Sequence, residues 1–177
     1  WPRAYYLMLH KPLGVVCSTT DALHTPIHRL VNTPFAKDLH AAGRLDADST
    51  GLVLLTNDGD WSHRLTSPRR HCDKSYLVTL DAPLDPTLAA RFTAGITLND
   101  DPTPTLPAQL DALDAHHARV ILREGRYHQV RRMFAAVGNH VTALHRERIG
   151  SLLLDPALAP GHWRELSAAE VEALRHA

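Results

Sequence analysis

The chain has 177 residues, with 19 basic and 19 acidic side chains that cancel, and 44% of its residues are hydrophobic. That is enough for one domain of ordinary size, or for two small lobes, with a real core. Zero net charge argues against a general polyanion binder, and no apolar run approaches the roughly 20 residues of a membrane span. Two cysteines, Cys17 and Cys72, are too few for a disulfide framework and fit a reducing cytosol. The N-terminus lacks the pattern of a signal peptide. A start on Trp1 rather than Met is expected of a piece cut from a longer chain.

Taken in chain order, "YYLMLHKPLGVVCST" is rich in strand formers and reads as two short strands around a "KPLG" turn. "TPIHRLVNTPFAKDL" is short helix or irregular, fenced by Pro26 and Pro34. "GLVLLTNDG" is a near-continuous apolar run closed by a turn, the pattern of a buried strand. "DWSHRLTSP" predicts a short helix capped by Asp58 or Asp60 and ended by Pro68. "DKSYLVTLD" is a strand, and "DPTLAARFTAG" a helix stopped by Gly95. The proline-rich "NDDPTPTLPAQ" is a loop or edge, and the one candidate linker between two lobes. "AQLDALD" and "HARVILREG" read as two strands joined by a turn. "YHQVRRMFAAVGN" is a helix with Val130, Met133, Phe134 and Val137 on its apolar face and Gly138 at its end. "HVTALHRERIGSLLL" is strand-rich, and "LSAAEVEALRHA" opens with a capping box of Ser167 and Glu170. Strands outnumber helices and regular βαβ alternation is absent. The expected fold is α+β: a mixed, largely antiparallel sheet with packed helices and a central cleft.

Charge is distributed unevenly. Six Arg fall between Arg123 and Arg148 against only Glu124 and Glu147, whereas residues 81–114 are acidic with the single Arg91. The pattern predicts a basic face and an acidic one, and Arg suits bidentate phosphate contact. The 13 histidines include no pair with metal-ligand spacing, and no C-x-x-C or H-E-x-x-H occurs, so no metal is expected. Phosphate-binding glycine loops and a G-x-S-x-G elbow are also absent, which implies no nucleotide cofactor. Three stretches could carry chemistry. "GRLDADSTG" is by spacing either a surface turn or a carboxylate held beside a guanidinium at a sheet edge. In "DKSYLV", alternation puts Lys74 and Tyr76 on one strand face, either as an edge Lys with a core Tyr or as a phosphate contact beside an aromatic platform. In "EGRYHQVRRMF", Arg126, Arg131 and Arg132 lie off the apolar stripe near a helix start, on a solvated face or at an anion site.

Together "GRLDADSTGLVLLTNDG", "KSY", "EGRYHQVRRMF" and the early "HKPLGVVCST" resemble, in the right order, the signature segments of the RsuA-type pseudouridine synthases. The likeness runs over essentially the whole chain. It implies isomerisation of a specific uridine in 16S ribosomal RNA, without cofactor or metal, by a monomeric cytoplasmic enzyme. The alternatives are a large-subunit uridine, or a non-catalytic RNA-binding module of the same fold. By resemblance Asp46 is the catalytic carboxylate, Asp48 a secondary structural acid, Tyr76 the ring against the target base, and Arg131 the partner of Asp46. Arg44 would hold RNA open around the flipped nucleotide, and Lys11, Arg64, Lys74, Arg126 and Arg132 are the further expected RNA contacts. Members of this family usually carry an S4-type RNA-binding domain ahead of the catalytic part, and nothing in these residues resembles it.

Overall fold

The strand formers at the N-terminus make β1 (Tyr6–Lys11) and β2 (Val15–Val16) in the computed structural model, which describes residues 3–18 and 23–177. The end of the second expected strand, Thr19, lies outside the described residues. There follow β3 (Thr25–Pro26), two 3₁₀ turns fenced by the prolines, β4 (His40–Ala42) and β5 (Ser49–Thr56). Next come α1 (Gly59–Thr66), β6 (Lys74–Leu80), α2 (Leu88–Ala94), β7 (Gln109–Asp114) and β8 (His117–Leu122). The chain continues through α3 (Gln129–Ala136), β9 (Val141–Ile149), β10 (Leu152–Leu153), β11 (Trp163–Glu165) and α4 (Ala168–Arg175). Local signals set several boundaries as expected. Asp58 caps α1 by accepting from Trp61 N, Gly95 ends α2 at φ +98°, and Ser167 with Glu170 closes the capping box of α4.

One nine-stranded sheet runs β11-β1-β5-β9-β6-β8-β7, with β4 added on β5 and β10 on β9. Within it only β5 and β9 pair in parallel. The two strands around the "KPLG" turn do not pair with each other: β1 pairs with β5 and β11, and β2 pairs with β3. The proline-rich stretch is not a free linker. Strands before and after it join the same sheet, and it is stapled to α2 by Ile96 N donating to Thr105 Oγ1 and Ala108 N to Phe92 O.

Alternation along β5 explains its apolar run. Val53 and Leu55 enter one buried cluster, with Phe92 of α2 and Val130, Met133 and Phe134 of α3. Leu52 and Leu54 enter another, with Trp61 and Leu65 of α1 and Val171 and Leu174 of α4. A strand covered on both faces must be apolar on both. β5 also changes neighbour along its length. Its second half has β4 beside it, Ala42 opposite Leu54, while its first half pairs with β9, Ser49 opposite Leu144. Residues 43–48 bridge that change and form the loop that carries Asp46.

Candidate active site

Seven contacts from four parts of the chain hold this short loop. Gly14 N, in the turn after β1, donates to Ala47 O at 2.8 Å, which gives the "KPLG" turn its role. Leu45 N donates to Cys17 Sγ at 3.4 Å, and Ser49 N to Asp46 O at 3.0 Å. Arg146 of β9 donates Nη2 to Gly43 O at 3.0 Å and Nη1 to Arg44 O at 3.5 Å, while its Nε holds Leu52 O at 2.9 Å. Arg131 of α3 donates to Asp48 O at 3.0 Å and to Val141 O at 3.1 Å. The half-buried Asp46 carboxylate has His128 Nε2 at 3.0 Å, from the residue just before α3. Such bracing fixes a carboxylate without restricting access to it.

The sheet register aligns the surroundings of the loop in one cross-strand row. Lys11 lies opposite Gly51, Gly51 opposite Arg146, and Arg146 opposite Tyr76. Gly51 is required at its place: φ is +115°, and a Cβ there would lie 2.2 Å from Arg146 O. By alternation Lys11 follows Leu7 and Leu9, and Arg146 follows Leu144, all of the cluster that also holds Tyr76 and Leu45. Two buried cations therefore flank the strand that follows the Asp46 loop. Burial pushes the Lys11 ammonium below its usual range, against the opposing pull of Cys17, Asp48 and Asp46. Burial, and next the charge of Arg146, do the same to Lys74, whose Nζ would stand 3.4 Å from a side chain at Gly125. Burial also pushes the Cys17 thiol up.

Several expectations are corrected by this geometry. Asp46 is paired with His128, not Arg131; Arg131 instead braces the loop through Asp48, its Nη2 also 3.5 Å from Asp48 Oδ1. Lys11, an expected RNA contact, is 0% exposed and donates its ammonium to Val15 O and Pro12 O, which stiffens the turn. Arg126 is consumed by Glu124, Asp101, Thr103 O and Pro104 O. Arg132 is consumed by Asp100 and Tyr127 O. Two arginines of the expected basic face, Arg126 and Arg132, thus pair with Asp101 and Asp100 of the acidic stretch, which folds against them. Arg64 is exposed on α1, which packs into the cluster on the other side of the sheet from α3. Arg44 is exposed on the loop itself, and Lys74 is half-buried at the start of β6. Tyr76 is 8% exposed, and offers little of its ring in this state.

Two residues were missed in the sequence. His128 stood inside a motif read for its arginines. Arg146, 2% exposed, looked like one more member of a basic surface; a lone Arg followed by "ERIG" gives no sign that it is buried. Two open concavities of about 410 and 460 Å³ lie elsewhere, beside α4 and around Phe35, and neither includes Asp46.

This loop, strand and helix set is that of a known enzyme class: residues 5–136 match the model of the RNA pseudouridylate synthases, and the chain belongs to that family. Among curated relatives, ribosomal small subunit pseudouridine synthase A of Yersinia pestis is 55% identical over 94% of this chain and 71% of its own length. The enzyme of that name from Escherichia coli K12 is 54% identical over 94% of this chain and 72% of its own. A crystal structure of a pseudouridylate synthase superposes with a TM-score of 0.94 at 49% identity, over 97% of this chain and 74% of that one. The protein is accordingly an RNA pseudouridine synthase, an isomerase. Arg146 lies beyond the residues that the family model matches.

Proposed function

We propose that the chain converts one uridine of 16S ribosomal RNA to pseudouridine, with Asp46 as its catalytic carboxylate. The observation that carries this reading is the braced Asp46 loop, in a chain 55% identical to an enzyme named for the small ribosomal subunit. Uracil leaves C1′ through N1, turns, and rejoins C1′ through C5, whose hydrogen departs as a proton. Positive charge develops on the sugar as the first bond breaks, and Asp46 answers it as a nucleophile at C1′ or as a base toward the 2′ proton. The nucleotide must leave its stack for C1′ to be reached. In this reading Arg44 holds the opened strand, Lys74 meets a phosphate, and Tyr76 lines the base. Arg131 acts through Asp48, on the shape of the loop. The protein works as a cytoplasmic monomer on ribosomal RNA or an assembly intermediate, using no cofactor. No helix among the described residues is long and apolar enough to cross a membrane.

The test is to map pseudouridine in ribosomal RNA after treatment with the protein, alongside tritium release from 5-tritiated uridine. Wild type should yield one modified site in 16S RNA. Asp46→Asn should lose at least about a thousandfold in rate while still binding RNA, and Asp48→Asn should lose far less. Full activity in Asp46→Asn would remove the assignment of the acid. Product only in large-subunit RNA would move the substrate, and RNA binding without product would make the chain a binding module.

A further inference from the structure

Tyr127 is 75% exposed, the one aromatic side chain so exposed among the described residues. It is not a loose surface ring. One face stacks on His128, with centroids 3.8 Å apart and planes 22° from parallel, and His128 in turn touches Asp46. The backbone beneath is pinned on both sides: Arg132 Nη1 donates to Tyr127 O at 2.9 Å, and the Arg126 network holds the preceding residue. His128 itself stands at φ +50°, a left-handed conformation that a non-glycine residue adopts at some cost and that tends to persist at working sites. The arrangement therefore holds a flat aromatic face in solvent, one ring away from the candidate catalytic acid.

A uridine drawn out of its stack leaves its neighbour with one face uncovered. Single-stranded RNA is commonly held by stacking such bases on aromatic side chains. We infer that the open face of Tyr127 is a stacking subsite for the nucleobase adjacent to the target uridine, with the Tyr127–His128 pair continuing the base stack up to Asp46. This rests on the reading of Asp46 as the site of uridine chemistry. Phenylalanine should serve as well as tyrosine there, because the contact is made by the ring face.

The experiment places 2-aminopurine on either side of the uridine mapped above, and forms complexes with Asp46→Asn protein to prevent turnover. With Tyr127 present, the fluorophore at one of the two positions should stay quenched in the complex. In the Tyr127→Ala background it should brighten severalfold, and Tyr127→Phe should match wild type. In the otherwise wild-type protein, Tyr127→Ala should raise KM about tenfold with kcat within about twofold. Equal quenching at both positions in all variants would overturn the subsite. So would a loss in Tyr127→Phe equal to that in Tyr127→Ala, or a fall in kcat at constant KM. Absence of pseudouridine from wild type would instead bring down the proposed reaction, on which the subsite rests, and is told apart from a failed subsite by the mapping itself.

Discussion

The two faces of the sheet are packed from the same strands but to different ends. On the α1 and α4 side the buried side chains are almost wholly apolar around Trp61, whose ring meets Tyr6 edge-on at 4.9 Å and whose Nε1 donates to Val171 O. On the α2 and α3 side a comparable cluster ends in two buried cations, Lys11 and Arg146, beneath the loop that bears Asp46. Burying a cation without a carboxylate is costly, and carbonyl oxygens only partly repay it. One face serves to hold the fold, and the other carries that cost where a loop must be held still.

The comparison breaks most readily at Trp61. Trp61→Ala should cost about 3–5 kcal/mol in denaturant unfolding, yet leave the activity of the folded fraction near wild type. Activity lost in step would mean the faces are not separable. Arg146→Met tests the other side: it frees the carbonyls of Gly43, Arg44 and Leu52, and kcat should fall on the order of a hundredfold with KM little changed. Exogenous guanidinium should rescue Arg146→Ala in part; no rescue and no kcat effect would reduce Arg146 to packing. The smallest effect is expected at Glu170, which Arg164, then the Ser167 backbone, holds down to about 2 from the usual 4.5. A depressed carboxylate stabilises the fold above its unfolded pKa and loses that contribution as pH falls toward the folded one. Glu170→Gln should therefore cost under about 1 kcal/mol at neutral pH, since the pair is only partly buried and solvent screens it, and close to nothing near pH 2.

What could be read in the sequence was what neighbours in sequence decide. Caps at Asp58 and Ser167, the stop at Gly95, the hairpin of β7 and β8, and the apolar run of β5 all depend on residues a few positions apart. Recognition of the Asp46 loop came from its motif. The pairings that make the site came from distant partners and were not legible. Arg132 meets Asp100 and Arg126 meets Asp101 across a fold that composition alone presents as two opposed surfaces. Lys11 reads as a surface lysine until β5 lies beside it, and Arg131 reads as the partner of Asp46 until α3 is seen to offer His128 first.

The single parallel pairing in the sheet, β5 with β9, bears on how the protein comes to be made. Arg146 is 103 residues from Gly43, and loops that long close late in folding. A nascent chain emerges N-terminus first, so Asp46 is exposed well before the strand that secures its loop has been synthesised. With Asp46 as the proposed catalytic acid, its loop is fully braced only once β9 has docked, which would tie the onset of chemistry to near completion of the sheet.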